Sequence, residues 1–332
     1  MIQKEHAIKI QTESFEDFKS YFLKEEFALG WNCLFVLPVW LKTWWDVFGG
    51  NQDPEILTGY RHGKLIGVAP LAVEENTARF IGGENVCDYQ DMIVAPNHNE
   101  EFLGAILSHL KKRGIQSLEL GALRSESISL TQLPDIARRT GHTVTCDPAG
   151  ISSEIELPGT WESYLQMLGG KQRHEIRRKI RRLNEAGHVQ FRIIKRPEEI
   201  SEHMDIFFSL FTASRPDKSE FLTDPMLSFF LLLARRMAKH GFFRMSFLDI
   251  DGVPAAGVMC FDYNHTIFLY NNGYDPRFGH LSVGLLSKVY SIRDSIEQKR
   301  LRYDLLKGNE VYKKRLGSTP VLLYRLKIDL DG

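Results

Sequence analysis

Apolar residues recur along this chain with two periods, and the switch between them marks its elements. Pro38-Val-Trp40-Leu41-Lys-Thr-Trp44-Trp45-Asp-Val-Phe48-Gly49-Gly50 has Pro at its start, apolar residues at helical spacing and glycines at its stop, so it predicts a helix. Two short apolar runs, Glu55–Tyr60 and Leu65–Ala69, flank Arg61-His-Gly-Lys64 and predict a hairpin. Asp91–Val94 reads as a strand closed by Ala95-Pro96. Phe102–Lys112 is apolar at 102, 103, 106, 107 and 110, a helix ended by Gly114, and Ser117–Leu120 is a strand.

The same order returns further on. Arg244–Leu248 and Ala256–Phe261 flank Asp249-Ile-Asp-Gly252 as a second hairpin, and Thr266–Tyr270 is a strand followed by Asp275-Pro276. Ser282–Lys299 is apolar at 283, 285, 286, 289, 292 and 296, a long helix, and Arg302–Leu306 is a strand. Ala95-Pro96 aligns with Asp275-Pro276, and Leu103-Gly104 with Val283-Gly284, both at an offset of 180. Hairpin, strand, X-Pro, helix and strand thus occur twice, which predicts two similar α/β halves. Asp147-Pro-Ala-Gly150 has linker composition and divides the chain into residues 1–150 and 151–332. After it, Ile151–Leu157 reads as a strand, and Thr160 caps a helix that begins at Trp161.

Length and composition fit this division. A chain of 332 residues that is 43% hydrophobic has material for two cores. Lys+Arg equals Asp+Glu at 42 each, so no global field draws it to nucleic acid or membrane. The charged N-terminus lacks the apolar stretch of a signal peptide, and no run reaches the length of a membrane span, which together predict a cytoplasmic protein. The 4 cysteines form no CxxC pair and the 11 histidines no HExxH, so neither a disulfide framework nor a metal site is expected.

Charge is concentrated locally. Lys171–Leu183 holds seven Lys/Arg in thirteen residues, with Ile176, Ile180 and Leu183 on one stripe. Such a helix docks on its apolar side and presents Arg173, Arg177, Arg178 and Arg181 on a basic face. Phosphates of coenzyme A, a phosphate-rich substrate and RNA all suit that face, and so does plain solvation.

The stretch Gly273-Tyr-Asp-Pro-Arg277-Phe-Gly279-His280-Leu-Ser282-Val-Gly284, followed by Tyr303-Asp304-Leu-Leu-Lys307-Gly308-Asn309-Glu310-Val-Tyr312-Lys313-Lys314-Arg315-Leu316-Gly317, resembles the GNAT-type acetyltransferases of the CelD-like, cellulose-biosynthesis-associated family, relatives of the Fem peptidyltransferases. Trp40-Leu-x-x-Trp44-Trp45-x-x-Phe48-Gly49, Gly67-Val-Ala-Pro70-Leu71, Asp88-Tyr89-x-Asp91 and the arginine-rich helix extend the likeness over about residues 30 to 325. The resemblance implies two tandem GNAT-like halves, each a mixed, mainly antiparallel sheet flanked by helices. It also implies transfer of an acyl group, usually acetyl from acetyl-CoA or another acyl-CoA, to an amine of a small molecule, glycan or peptide, with no metal. The donor's pyrophosphate would sit at a helix start, where unpaired N–H groups and the helix dipole favour anions. That start is Arg277, Gly279, His280, Ser282 and Gly284, with Lys313 nearby. The usual Arg/Gln-x-x-Gly-x-Gly/Ala loop is degenerate here apart from Gly284. A Fem-like enzyme would instead use aminoacyl-tRNA; the zero net charge argues against nucleic acid without excluding tRNA.

Direct attack by an amine needs a base, a polarised carbonyl and an acid for the leaving group. Asp304, mid-strand, is the candidate base or ammonium anchor, Lys307 its partner or a carbonyl polariser, and Tyr312 the candidate acid. A structural Asp–Lys pair and simple aromatic packing are the competing readings. Asp88, Tyr89 and Asp91 could hold a cationic acceptor or cap a turn. A catalytically inactive binding module of the same fold remains the alternative from outside enzymology.

Overall fold

The computed structural model describes residues 8–50, 54–215 and 220–331, excluding the side chain of Glu25. These residues form two compact units, 1–151 with 321–332, and 152–320. The final strand, which the sequence places in the C-terminal half, therefore packs with the N-terminal unit.

In the first unit, β1 (Lys9–Glu13), β2 (Glu55–Arg61), β3 (Lys64–Glu74), β4 (Thr77–Phe80), β6 (Ser117–Arg124) and β13 (Thr319–Asp329) lie side by side in that order, and the two-residue β5 (Ile93–Val94) adds to β3. All neighbours are antiparallel except β4 and β6. Helices α1 (Phe15–Leu23) and α2 (Pro38–Phe48) come early in the chain, and α3 (Asn99–Lys112), α4 (Ile128–Thr131) and α5 (Leu133–Arg139) later. The stripe read from the sequence is the buried face of α3: Phe102, Leu103, Ile106, Leu107 and Leu110 share a core with Leu57, Leu118, Leu326 and Ile328. Gly67 and Gly59 admit the Phe102 ring, since a Cβ at either would lie 2.6–2.7 Å from it.

The second unit repeats the plan. Its order is β8 (Val189–Ile194), β9 (Phe243–Ile250), β10 (Val253–Tyr263), β11 (Thr266–Tyr274), β12 (Arg302–Lys307) and β7 (Thr143–Glu156), with only β11 and β12 parallel. Among the described residues its helices include α6 (Trp161–Met167), α7 (Gly170–Glu185), α8 (Ile200–Ser214), α9 (Asp224–Lys239), α10 (Val283–Glu297) and α11 (Val311–Arg315). The internal repeat is thus real at the level of strand order, and each parallel pair is three residues long: Thr77–Arg79 with Ser117–Glu119, and Thr266–Phe268 with Arg302–Asp304. The sixth strand of the first unit, β13, follows the second unit in the chain, whereas β7 joins the second unit through Ser152–Glu156, at that unit's own start.

Two expectations change. Asp147–Gly150 is part of the continuous strand β7, because Thr143, Val144, Thr145 and Ile151 favour extended backbone and the fixed φ of Pro148 permits it. Asp91 precedes rather than begins β5: its carboxylate takes the Ile128 and Ser129 N–H groups (2.9 and 3.0 Å), the Ser129 hydroxyl (2.6 Å) and the Met92 N–H (2.9 Å). It therefore anchors the start of α4. Among the described residues no helix is long and apolar enough to cross a membrane.

Candidate active site

The ladder between β11 and β12 stops at Phe268 and Asp304, although both strands continue, to Tyr274 and Lys307. Beyond that point the strands are no longer in register with each other, and the gap is flanked by α10 and α11. A bulge in β12 lies at the same place. Its register against β7 shifts between Asp304 and Lys307, and Leu306 adopts a left-handed φ of 61°. For a branched, buried side chain that conformation is strained, at a cost of roughly 1–3 kcal/mol.

Asp304 holds the bulge. It is 1% exposed, and its Oδ1 accepts the Leu306 N–H at 2.7 Å and the Ser152 hydroxyl at 3.3 Å. Lys307 follows, half-buried, opposite Ser152. The turn into α11 is closed by Lys313. This lysine is 2% exposed, and its Nζ donates to the carbonyls of Leu306, Lys307 and Gly308 at 2.9, 2.8 and 3.3 Å, with Glu310 at 3.1 Å. Lys313 thus faces inward and fixes the backbone from Leu306 to Gly308, rather than pointing to a phosphate outside. In doing so it holds Asp304, Lys307 and Tyr312 in one fixed segment.

Tyr312 packs against the core of this unit, and burial, with a smaller push from the Glu310 carboxylate, raises its phenol above the ordinary range. Lys288 on α10 sets its ammonium 4.8 Å from the Tyr312 ring centroid. Sequence reasoning overlooked Lys288. The signal was available: it falls among Leu285, Ile292 and Ile296 on the buried stripe, where a lysine is out of place.

The helix start expected to receive pyrophosphate is α10. Ser282 is its N-cap, in left-handed conformation, and its carbonyl accepts from the N–H groups of Leu285 and Leu286 at 3.0 Å. Gly284 lies beneath Tyr274, whose ring a Cβ would meet at 2.8 Å, so glycine is needed there for packing. Arg277 is exposed and folds back on Asp275 through bonds of 2.8 and 2.6 Å, which lower the Asp275 carboxyl and raise the guanidinium. Gly279 and His280 are exposed, and His280 Nδ1 lies 3.1 Å from the Arg277 carbonyl.

The basic helix is α7. Ile176 and Leu183 are buried, while Arg177, Arg178 and Arg181 are exposed and Arg173 half-buried. Its own acids neutralise part of the face: Arg178 donates twice to Glu175, at 2.9 and 2.8 Å, and Arg181 lies 3.8 Å from Glu185. Lys179 donates to Ser282 Oγ at 2.5 Å, which joins this helix to the start of α10.

The matching gap in the first unit is filled by its own chain. Past the last β4–β6 pair, the Gln90 amide donates to the Ile81 carbonyl at 2.7 Å and its backbone N–H to the Ala122 carbonyl at 3.2 Å. Ala122, like Leu306, has a left-handed φ, here 49°. Tyr89 is buried edge-on to Phe35, with the Arg124 guanidinium 4.9 Å from its ring centroid, and Asp88 is half-buried beside it.

A parallel strand pair that parts after three residues, with a helix start on one side and a buried carboxylate on the other, defines the class of fold. Residues 170–314 match the acetyltransferase (GNAT) domain family, and the chain as a whole folds as two tandem GNAT-like halves. Among solved structures it is similar to FemX, with a TM-score of 0.65 at 10% identity over 97% of each chain. It is also similar to L-PGS from Bacillus licheniformis (TM-score 0.55, 11% identity, 86% of this chain and 90% of that one). A tandem GNAT protein from the clavulanic acid biosynthesis pathway matches at 12% identity and TM-score 0.50, over 98% and 99% of the two chains. A sequence search of curated proteins gives no match.

Proposed function

We propose that the protein is an N-acyltransferase whose second unit binds an acyl-CoA, with acetyl-CoA as the first candidate, in the gap between β11 and β12 and transfers the acyl group directly to an amine. The observation that carries this reading is the asymmetry of the two gaps. Gln90 spans the one between β4 and β6, whereas the β11–β12 pairing ends at Asp304, with Lys307 three residues on and Tyr312 in the helix that follows. The thioester arm would enter alongside Leu269–Tyr274, the part of β11 beyond its last pair with β12. The pyrophosphate would lie toward Ser282 and the basic helix, where Lys179 and Arg177 add positive charge.

Asp304 then draws the proton from the attacking ammonium, and Lys307 polarises the acyl carbonyl. The amine nitrogen bonds to the acyl carbon, the C–S bond breaks, and the Tyr312 phenol gives its proton to the departing sulfur. The phenolate regains a proton from the protonated amide nitrogen or from solvent. Asp88, Tyr89 and Asp91 are not assigned to the acceptor: Asp91 and Tyr89 are engaged in packing their own unit. The acceptor is an amine of a small molecule, glycan or peptide. The CelD-like reading of the sequence belongs to this proposal and accords with it.

The second reading is an aminoacyl-tRNA donor. The exposed arginines of α7, joined to the α10 start through Lys179 and Ser282, favour it. One experiment separates the two. A donor that binds only the folded protein, at 100 times its Kd, adds about 2.7 kcal/mol of stability. Acetyl-CoA and longer acyl-CoAs are therefore titrated while the melting temperature is followed. A rise with one of them supports the proposal. No rise with any, together with charged-tRNA binding that weakens steeply with salt, transfers the role to the second reading.

A further inference from the structure

We infer that Lys288 is the positioning residue of the acid: its ammonium, anchored to β11 and to its own helix, fixes the Tyr312 ring beside the strand gap and stabilises the phenolate that forms there. This rests on the reading of Tyr312 as the proton donor. Lys288 is 4% exposed. Its Nζ donates to Asn272 Oδ1 at 2.9 Å and to the Gly284 carbonyl at 2.6 Å, and it stands 4.8 Å from the Tyr312 ring centroid. A buried ammonium is retained against a desolvation cost of several kcal/mol only where geometry repays it. Here the geometry gathers three elements: α10 supplies the cation, β11 the amide that aims it, and α11 the ring that receives it.

The placement has a chemical consequence. A cation over an aromatic face is attracted by the ring's quadrupole. When the phenol gives its proton to sulfur, the ring gains a full negative charge spread over its carbons, and the same contact becomes a charge–charge attraction in a poorly hydrated site. Burial and Glu310 both oppose phenolate, so without a cation the donor would be a poor one. Lys288 thus acts more strongly on the transition state than on the resting enzyme, the condition for raising kcat rather than only tightening binding. It touches neither thioester nor amine; it acts through Tyr312.

The test uses the full chain carrying ring-13C-labelled tyrosine, with the Tyr312 resonance assigned by its loss in Tyr312→Phe. Lys288→Met should shift that resonance and lower kcat on the order of 10-fold, a fraction of the 10²-fold or more that a general acid supplies. The KM for acyl-CoA should stay within about twofold, as expected for an effect confined to the transition state. Lys288→Arg, which keeps a cation able to lie on a ring, should recover most of the loss. In the Tyr312→Phe background Lys288→Met should cost nothing further. Asn272→Leu, which removes the anchor and keeps the charge, is the companion variant should a buried Met prevent folding; it should displace the same resonance.

An unmoved Tyr312 resonance overturns the positioning role. An equal kcat loss with and without the phenol overturns the coupling between the two residues. Full activity of Tyr312→Phe overturns the acid assignment and with it the catalytic half of the inference, while the resonance still reports separately whether Lys288 places the ring.

Discussion

Asp304 is assigned two roles that different substitutions separate. As a structural acceptor it supplies Oδ1 to the Leu306 N–H and the Ser152 hydroxyl, both buried. Asp304→Ala strips both partners, and a buried polar group left unpaired costs about 1–3 kcal/mol. The serine hydroxyl can rotate toward another acceptor but the amide cannot, so the loss should be about 1–3 kcal/mol. The strained left-handed φ of Leu306 should relax at the same time, and the bulge with it.

Asp304→Asn keeps an oxygen in the same place and exchanges a charged acceptor for a neutral one, at about 1 kcal/mol. Urea unfolding gives both values, and exchange of the Leu306 amide with deuterium reports the bond itself: protected in the Asn variant, exposed in the Ala variant. Activity sorts the variants differently. The amide cannot take a proton, so Asp304→Asn should lose on the order of 10²-fold or more in kcat while remaining folded. If Asn and Ala destabilise the protein equally, the account of the bulge is wrong. If Asn leaves turnover intact, Asp304 is not the base.

Three further outcomes follow from the same geometry. Gly284→Ala should destabilise by about 1–3 kcal/mol, read by thermal melting, because its Cβ overpacks the Tyr274 ring, and Tyr274→Leu in the same chain should restore part of that. Gln90→Leu should cost about 1–3 kcal/mol and expose the amides around Ala122 to exchange, since the Ile81 carbonyl loses its buried donor. Glu175 has its carboxyl drawn down to about 2 by its bonds to Arg178, so its contribution is present above the unfolded value near 4 and disappears as pH falls through about 2. Glu175→Gln should accordingly lower stability at pH 7 by less than about 1 kcal/mol, by less still in high salt, and by nothing below about pH 2.

Much of the architecture is written in local pattern. The stripes on α3 and α10 and the two hairpins follow from the spacing of apolar residues alone, and their order exposes the repeat. Thr160 caps α6 as read, with its Oγ1 3.1 Å from the Ser163 amide. What local pattern does not carry is partner choice. Asp147-Pro-Ala-Gly150 has the composition of a turn, yet it lies within β7, and nothing near Thr319–Asp329 says that it will pair with β6. The candidate site side chains divide in the same way. Asp304, Lys307 and Tyr312 stand out by type and position. Lys313 and Lys314 are adjacent and alike, and only the fold turns one onto three carbonyls and the other to solvent. Asp91 reads in the sequence either as a ligand for a cationic acceptor or as a turn cap, and the fold gives it four neutral donors of its own.

The crossing of the last strand into the first unit sets an order of events during synthesis. The N-terminal unit is complete only when β13 arrives, some 170 residues after most of the unit has been made, which at ribosomal rates is about 10–30 s. For that interval β6 has one bare edge, a row of unpaired N–H and C=O groups open to any strand that comes near. The second unit has no such wait, because the part of β7 that pairs with β12, Ser152–Glu156, is made first among its residues. The half proposed to carry the chemistry can therefore finish first, and the half that begins the chain closes last.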